Sequence, residues 1–132
     1  MAFQSGPVLD ESYVAAEDLR NYQYHFVTMN TDGQIALMDT KDDIIVGVLQ
    51  NIPNIGEEAV IRHLGISKVV ANASLDEGTK IKAEFVSVTD CGKAAANTTT
   101  YTAFHGVVVG ASAAEDDLCS VLLRSSVIAK AY

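Results

Sequence analysis

The stretch FVTMNTDGQIAL at residues 26–37 is answered later in the same chain by FVSVTDCGKAAA at residues 85–96. Displacing the sequence by 59 residues aligns Phe26, Val27, Gly33, Ala36, Thr40, Gly47 and Val48 with Phe85, Val86, Gly92, Ala95, Thr99, Gly106 and Val107. Those are 7 identities over the 33 pairs that start at Phe26, where composition alone gives roughly two or three. The acids Glu57 and Glu58 fall on Asp116 and Asp117 in the same alignment. Each half then has one order of parts: strand, glycine-containing turn, strand, polar gap, apolar GVL or GVV strand, acidic loop, closing strand. A sheet of half this length has no way to bury its apolar face alone, whereas two copies close against each other. The plainer reading is that glycine turns between valine-rich strands look alike in any β-protein.

Local signals favour strands nearly throughout. Residues 22–30 are aromatic and β-branched, TDGQ is a hairpin turn signal, and residues 34–38 alternate polar with apolar. Residues 44–49 form an apolar run of strand length, ended by QNIPNIGEE, where Pro53 and Gly56 interrupt pairing. AVIRHLGI, SKVVA, TKIKAEFVSV, TAFHGVVVGA and CSVLLRSSVIA supply further strands, and residues 12–19 hold the one helix candidate. The expected fold is all-β, a small barrel or sandwich built from two pseudo-repeated halves of about 59 residues with an extended N-terminal arm. The arm covers residues 1–12, a single β domain covers residues 13–132, and the halves span about 19–75 and 76–132.

At 132 residues and 48% apolar content, one domain with a modest core is the expectation. No run approaches the roughly 20 apolar residues that span a bilayer, and the N-terminal segment has neither a basic leader nor a continuous apolar region, so no export signal is expected. A net charge of −8 argues against direct nucleic-acid contact, which needs Lys and Arg against phosphate. No basic amphipathic helix suggests membrane-surface binding. Cys91, in the predicted turn TDCGK, and Cys119, in LCSVLL, lack metal or redox spacing and read as free thiols.

Convergent catalytic groups are not evident. His25, His63 and His105 show no HxH, HxxxH or HExxH relation, and each sits in a strand pattern as a cross-strand polar position. There is no G-x-S-x-G elbow, and Cys119 has no cationic neighbour to lower its pKa. The acidic pairs read as solvated loop tips. No catalytic residue, metal ligand or cofactor is assigned, and the chain reads as a binding or assembly module rather than an enzyme. An arm with unpaired backbone groups suits docking by strand addition.

VGVLQNIPNIGEEAVIRHLGISKVV, residues 46–70, resembles the small capsid decoration proteins of tailed bacteriophages, whose recurring run is a GVLQN-P segment, then GE, alternating valines and a GVSKV-like close. The matching residues are Gly47, Val48, Leu49, Gln50, Asn51, Pro53, Gly56, Glu57, Val60, Gly65, Ser67, Lys68 and Val69. The likeness extends from Asp18 to Leu123, with Arg62 and His63 standing where the family has small or apolar residues.

The function implied is mechanical: binding the outer surface of an assembled head and bridging subunits of the major capsid protein, at the virion surface after synthesis in the host cytoplasm. A homo-oligomer is expected, with a trimer suiting local three-fold positions. The expected partner-gripping residues are Phe3, Pro7, Val8 and Leu9 of the arm, and Gln50, Asn51, Pro53, Glu57 and Glu58 of the 50–58 loop. Two other readings stay open. One is a different virion β-module, such as a head-fibre base or tail component. The other is a small-ligand or glycan-binding domain using Tyr13, Tyr22, Tyr24, Tyr101 and Tyr132.

Overall fold

The computed structural model describes residue 2, residues 6–98 and residues 103–127. Within them the protein is all-β, with strands β1 (Leu9–Val14), β2 (Phe26–Met29), β3 (Ile35–Ala36), β4 (Ile45–Leu49), β5 (Glu58–Val70), β6 (Lys80–Ser87), β7 (Asp90–Ala96), β8 (Ala103–Gly110) and β9 (Leu118–Val127). The sheet order is β3-β2-β4-β5-β9-β8-β6-β7, with β1 added on β5. Read outward from its middle, that order is the same on both sides: β5-β4-β2-β3 and β9-β8-β6-β7.

The hydrogen bonds make this a true internal repeat. Ala15 donates its amide to Glu57 and accepts from Gly56, and Ala71 donates to Asp117 and accepts from Asp116, all at 2.8–2.9 Å. Ala16 donates to Ile35 and Asn72 to Ala94. Tyr24 and Leu49 bracket the start of β2 as Gly78 and Val108 bracket the start of β6, each donor–acceptor distance being 2.7 Å. Left-handed backbone recurs at these places, at Tyr24 (φ 62°) and Gly78 (φ 85°), and again at Gly56 (φ 80°) and Asp116 (φ 69°). Paired strands complete the correspondence. β1 lies antiparallel on the first half of β5, Val14 opposite Glu58; the second half of β5 lies antiparallel on β9, Val70 opposite Leu118. One unit therefore runs over residues 9–64 and the next over 65–124, and β5 serves as the last strand of the first and the first strand of the second. Each unit curls until its ends meet in a parallel bridge, Ala15 to Ile35 and Ala71 to Ala94.

The spacing between equivalent residues is not constant. It is 56 at Ala15 and Ala71, 54 at Tyr24 and Gly78, 59 at Leu49 and Val108, and 60 at Glu57 and Asp117. A single displacement of 59 captures only the middle of the repeat, so Glu57 corresponds to Asp117 rather than Asp116, and the first unit starts at Leu9 rather than near residue 19. The motif first noticed in the sequence is also shifted. The first hairpin turns through Asn30, whose side-chain oxygen accepts from the amides of Asp32 and Gln34, with Gly33 inside the turn. The second turns between Ser87 and Asp90, so Gly92 lies within β7 and packs against the carbonyl of Phe26. Phe26 and Phe85 look alike in sequence, yet the pairing of β2 and β6 with their neighbours makes Phe26 the counterpart of Lys80.

Other differences have local causes. Residues 12–19 form no helix: Ser12, Tyr13 and Val14 belong to β1, where β-favouring side chains meet a waiting edge of β5. The strand expected over 22–30 begins only at Phe26, because left-handed Tyr24 breaks the pleat. Cys91, expected in a turn, is buried in β7. AVIRHLGI and SKVVA form the single strand β5. One core spans both units, with Leu19, Phe26, Ile35, Leu49 and Ile61 of the first packed in a common cluster with Val69, Ile81, Val108 and Val121 of the second.

Candidate functional site

The two segments expected to grip a partner lie at opposite ends of one strand, β1. β1 carries the arm onto β5, and the bonds of Ala15 to Gly56 and Glu57 tie the end of β1 to the 50–58 loop. Along this edge Val8, Leu9 and Val14 are exposed, as are Leu64 of β5 (53%), Ile52 (58%) and Ile55 (65%). From Leu9 to Val14 the strand spans about 17 Å at the usual rise per residue. A contiguous exposed apolar rim of this kind around a sheet edge has the chemistry of a contact surface.

The expected residues divide by role. Pro7, Val8 and Leu9 are exposed on the edge, while Phe3 lies outside the described residues. Pro53 is buried, and its carbonyl accepts from the amide of Leu19. Gln50 is turned inward, its amide donating to the Val48 carbonyl and to Ser67 Oγ. Asn51 braces the loop, donating to the Glu58 carbonyl and accepting from the Val60 amide. Glu57 accepts from the Asn54 amide, and Glu58 from the Ser12 hydroxyl. The loop's polar side chains thus build its shape, and Ile52 and Ile55 face outward. Sequence reasoning passed over those isoleucines, although an apolar pair in a Pro- and Gly-broken loop, outside any strand pattern, is the signal that finds them.

Arg62 and His63, the two departures from the decoration-protein pattern, hold β1. Arg62 donates to both carboxylate oxygens of Asp10, at 2.8 and 3.0 Å, and to the Ile66 carbonyl. That hydrogen bond holds the Asp10 carboxyl below its ordinary pKa, against a smaller opposing effect of burial. His63 donates through Nδ1 to the Val46 carbonyl at 2.7 Å, which leaves Nε2 to accept from the Tyr13 hydroxyl at 2.8 Å. The Tyr13 and His63 rings meet edge to face at 5.7 Å.

His25 is buried with Nδ1 on the Gln23 carbonyl, and His105 packs against Phe26 with its own Nδ1 unpartnered among the described residues. Burial lowers the pKa of both imidazoles and raises that of the Cys119 thiol to about 11. Among the described residues no group of three or more His, Cys, Asp and Glu side chains could hold a metal. No helix among them is long and apolar enough to cross a membrane. An open groove of about 1100 Å³ lies between the β6–β7 hairpin and the segment around Met38, lined by Lys41, Asp43, Lys82, Glu84, Phe85 and His105 among others. Among the described residues no tyrosine lines it. Tyr22 donates to the Thr89 carbonyl and Tyr24 packs beside Lys68, so the described tyrosines do not gather around a sugar-sized site.

No family model matches the chain, and no curated protein does. Among solved structures, the head fiber gp8.5 N base in bacteriophage phi29 matches with a TM-score of 0.66 over 89% of this chain and 95% of that one, at 15% identity. The fold is shared. The likeness covers both units, so it is the tandem arrangement as a whole that recurs in the phage protein.

Proposed function

We propose that this protein is a structural component of a bacteriophage virion that acts at the head surface, as the base of a head appendage. The observation that carries the reading is the match of nearly the whole chain to the head fiber base of phi29. The apolar rim of β1, Leu64, Ile52 and Ile55 is the surface that would seat on the head, and the acidic remainder faces solvent.

A second reading is a decoration protein that covers the shell and bridges major capsid subunits, favoured by the run Gly47, Val48, Leu49, Gln50, Asn51 and Pro53. The two differ in copy number. Purified protein is mixed with undecorated heads from its own source, sedimented, and quantified against the major capsid protein. Saturation at a small fraction of the capsid subunits supports an appendage base, and saturation near one copy per subunit supports decoration. No saturable binding to heads overturns both.

A further inference from the structure

We infer that β1 is an exchangeable strand, able to leave its own β5 and occupy the same edge of β5 in a second copy of this chain, so that copies are joined by reciprocal strand exchange. This concerns the chain's contact with itself and stands independently of the head-surface reading.

The internal repeat supplies the comparison that exposes β1. Its counterpart in the second unit is the distal half of β5, which pairs with β9 and buries Ser67 and Val69 in the process. β1 makes the same antiparallel pairing on the equivalent edge yet buries none of its six residues, only Tyr13 being half-buried. The second unit's first strand is also continuous with the unit before it. A strand whose apolar burial is confined to Tyr13 and to Ala15 at its end is among the cheaper elements of a fold to open.

Besides the backbone ladder and the bonds of Ala15 to Gly56 and Glu57, what holds β1 is a set of one-to-one side-chain links: Asp10 to Arg62, Ser12 to Glu58 and Tyr13 to His63. These select the occupant. A foreign strand would satisfy the backbone ladder but not an Arg, a Glu and a His spaced to meet Asp, Ser and Tyr, whereas β1 of another copy carries that complement by identity. Every contact broken in one copy is remade in the other, so exchange costs chiefly association entropy and is favoured by crowding of copies. The hinge is at hand. Ala16, Glu17 and Asp18, partly or fully exposed, separate Ala15 from buried Leu19, and the ties that open with it are the Ala16 amide bond to Ile35, the Leu37 amide bond to the Glu17 carboxylate and the two bonds of Ala15 to Gly56 and Glu57.

Charge reversal tests this. Arg62→Asp sets an acid against Asp10 within one chain, and Asp10→Arg sets a base against Arg62. Neither variant closes its own latch well, but a 1:1 mixture satisfies both latches by exchange. Native mass spectrometry of the mixture is expected to show a heterodimer roughly tenfold more abundant than either variant's homodimer, from two relieved repulsions and two restored pairs. The double variant, reversed within one chain, is expected to behave as wild type. A mixture with no heterodimer enrichment overturns the inference. If either charge variant fails to fold, Val14→Cys and Glu58→Cys, at exposed positions opposite each other in the pairing, are mixed under mild oxidation. A heterodimeric disulfide supports exchange. Its absence, when the double cysteine variant closes within one chain, overturns it.

Discussion

Gly47 and Gly106 occupy one position in two successive copies of the same unit. A Cβ on Gly47 would strike the Arg62 carbonyl and come within 2.7 Å of Ile61 Cγ2; a Cβ on Gly106 would come within 2.7 Å of the Leu122 carbonyl and 2.5 Å of Val121 Cγ1. Arg62 and Leu122 are themselves counterparts, as are Ile61 and Val121. Both glycines therefore exist to let the inner strand of a unit lie flush against its closing strand. Gly47→Ala and Gly106→Ala are each expected to destabilise by about 1–3 kcal/mol through overpacking. For a chain of this size that lowers Tm by about 3–5 °C per kcal/mol. Thermal unfolding followed by circular dichroism checks it, and a Tm unchanged in both variants would show that the strands shift apart at no cost.

A different cost applies at Gly78, where a Cβ would meet nothing within 4 Å but φ is +85°. Gly78→Ala is expected to cost about 1 kcal/mol from left-handed backbone alone. Its counterpart Tyr24 already bears that strain at φ 62°. Tyr24→Gly should then lose the ring's contact with Lys68 yet leave stability within about 0.5 kcal/mol of wild type, because the backbone strain is relieved at the same time. Urea midpoints of the two variants measure both; Gly78→Ala matching wild type would contradict the argument.

Much of this was legible in the sequence and some of it was misplaced. The identity of Gly47 with Gly106 and Val48 with Val107 marks a real equivalence, because close strand approach demands the same residue in each unit. The more conspicuous match of Phe26 and Val27 with Phe85 and Val86 does not, since the second hairpin is longer by five residues and turns earlier in the motif. Sequence comparison scores residue identity, while the repeat is conserved in backbone geometry. It puts a tyrosine opposite a glycine at residues 24 and 78, and a glycine opposite an aspartate at 56 and 116. The candidate edge was legible as two segments, but not that one strand carries them at its two ends, which depends on long-range pairing of β1 with β5. Nor does the sequence say that Pro53 and Gln50 face inward and Ile52 and Ile55 outward.

Buried His25 and half-buried His105 predict how stability depends on pH. His25 and His105 both have folded pKa values below the ordinary 6.5, chiefly through burial, with Lys93 adding to the effect at His25 and Asp116 opposing it. The unfolded chain therefore binds protons that the folded chain refuses. Their contribution is fully present above pH 6.5 and is lost as pH falls from there through the folded values. Tm is expected to decline below pH 6.5, and more shallowly in His105→Leu, which removes an Nδ1 that has no partner among the described residues. Scanning calorimetry from pH 7.5 to 5 decides the matter, an unaltered slope in His105→Leu being the contrary result.

The Asp10–Arg62 pair sets how readily β1 opens. Arg62 is largely covered and Asp10 retains 30% of its side-chain exposure, so the pair lies between a surface bridge, worth about 0.2–1 kcal/mol, and a buried one. Asp10→Asn keeps a hydrogen-bond acceptor but removes the charge, and is expected to raise amide hydrogen exchange in residues 9–14 by about 1.5- to 5-fold, the range that such an energy implies. Protection of β8 and β9 should stay unchanged, because their pairing does not involve the first strand. The sign reverses no part of the fold's acid response: Asp10, with its pKa lowered by Arg62, contributes stability that is present above its ordinary 3.8 and is lost as pH falls below it. At pH 7 the wild type therefore holds β1 at full strength, and protection of residues 9–14 should weaken selectively when exchange is repeated near pH 3. Loss of protection spread evenly over all strands in Asp10→Asn would mean that β1 opens only with the whole molecule, and would remove the basis for treating it as a separately releasable strand.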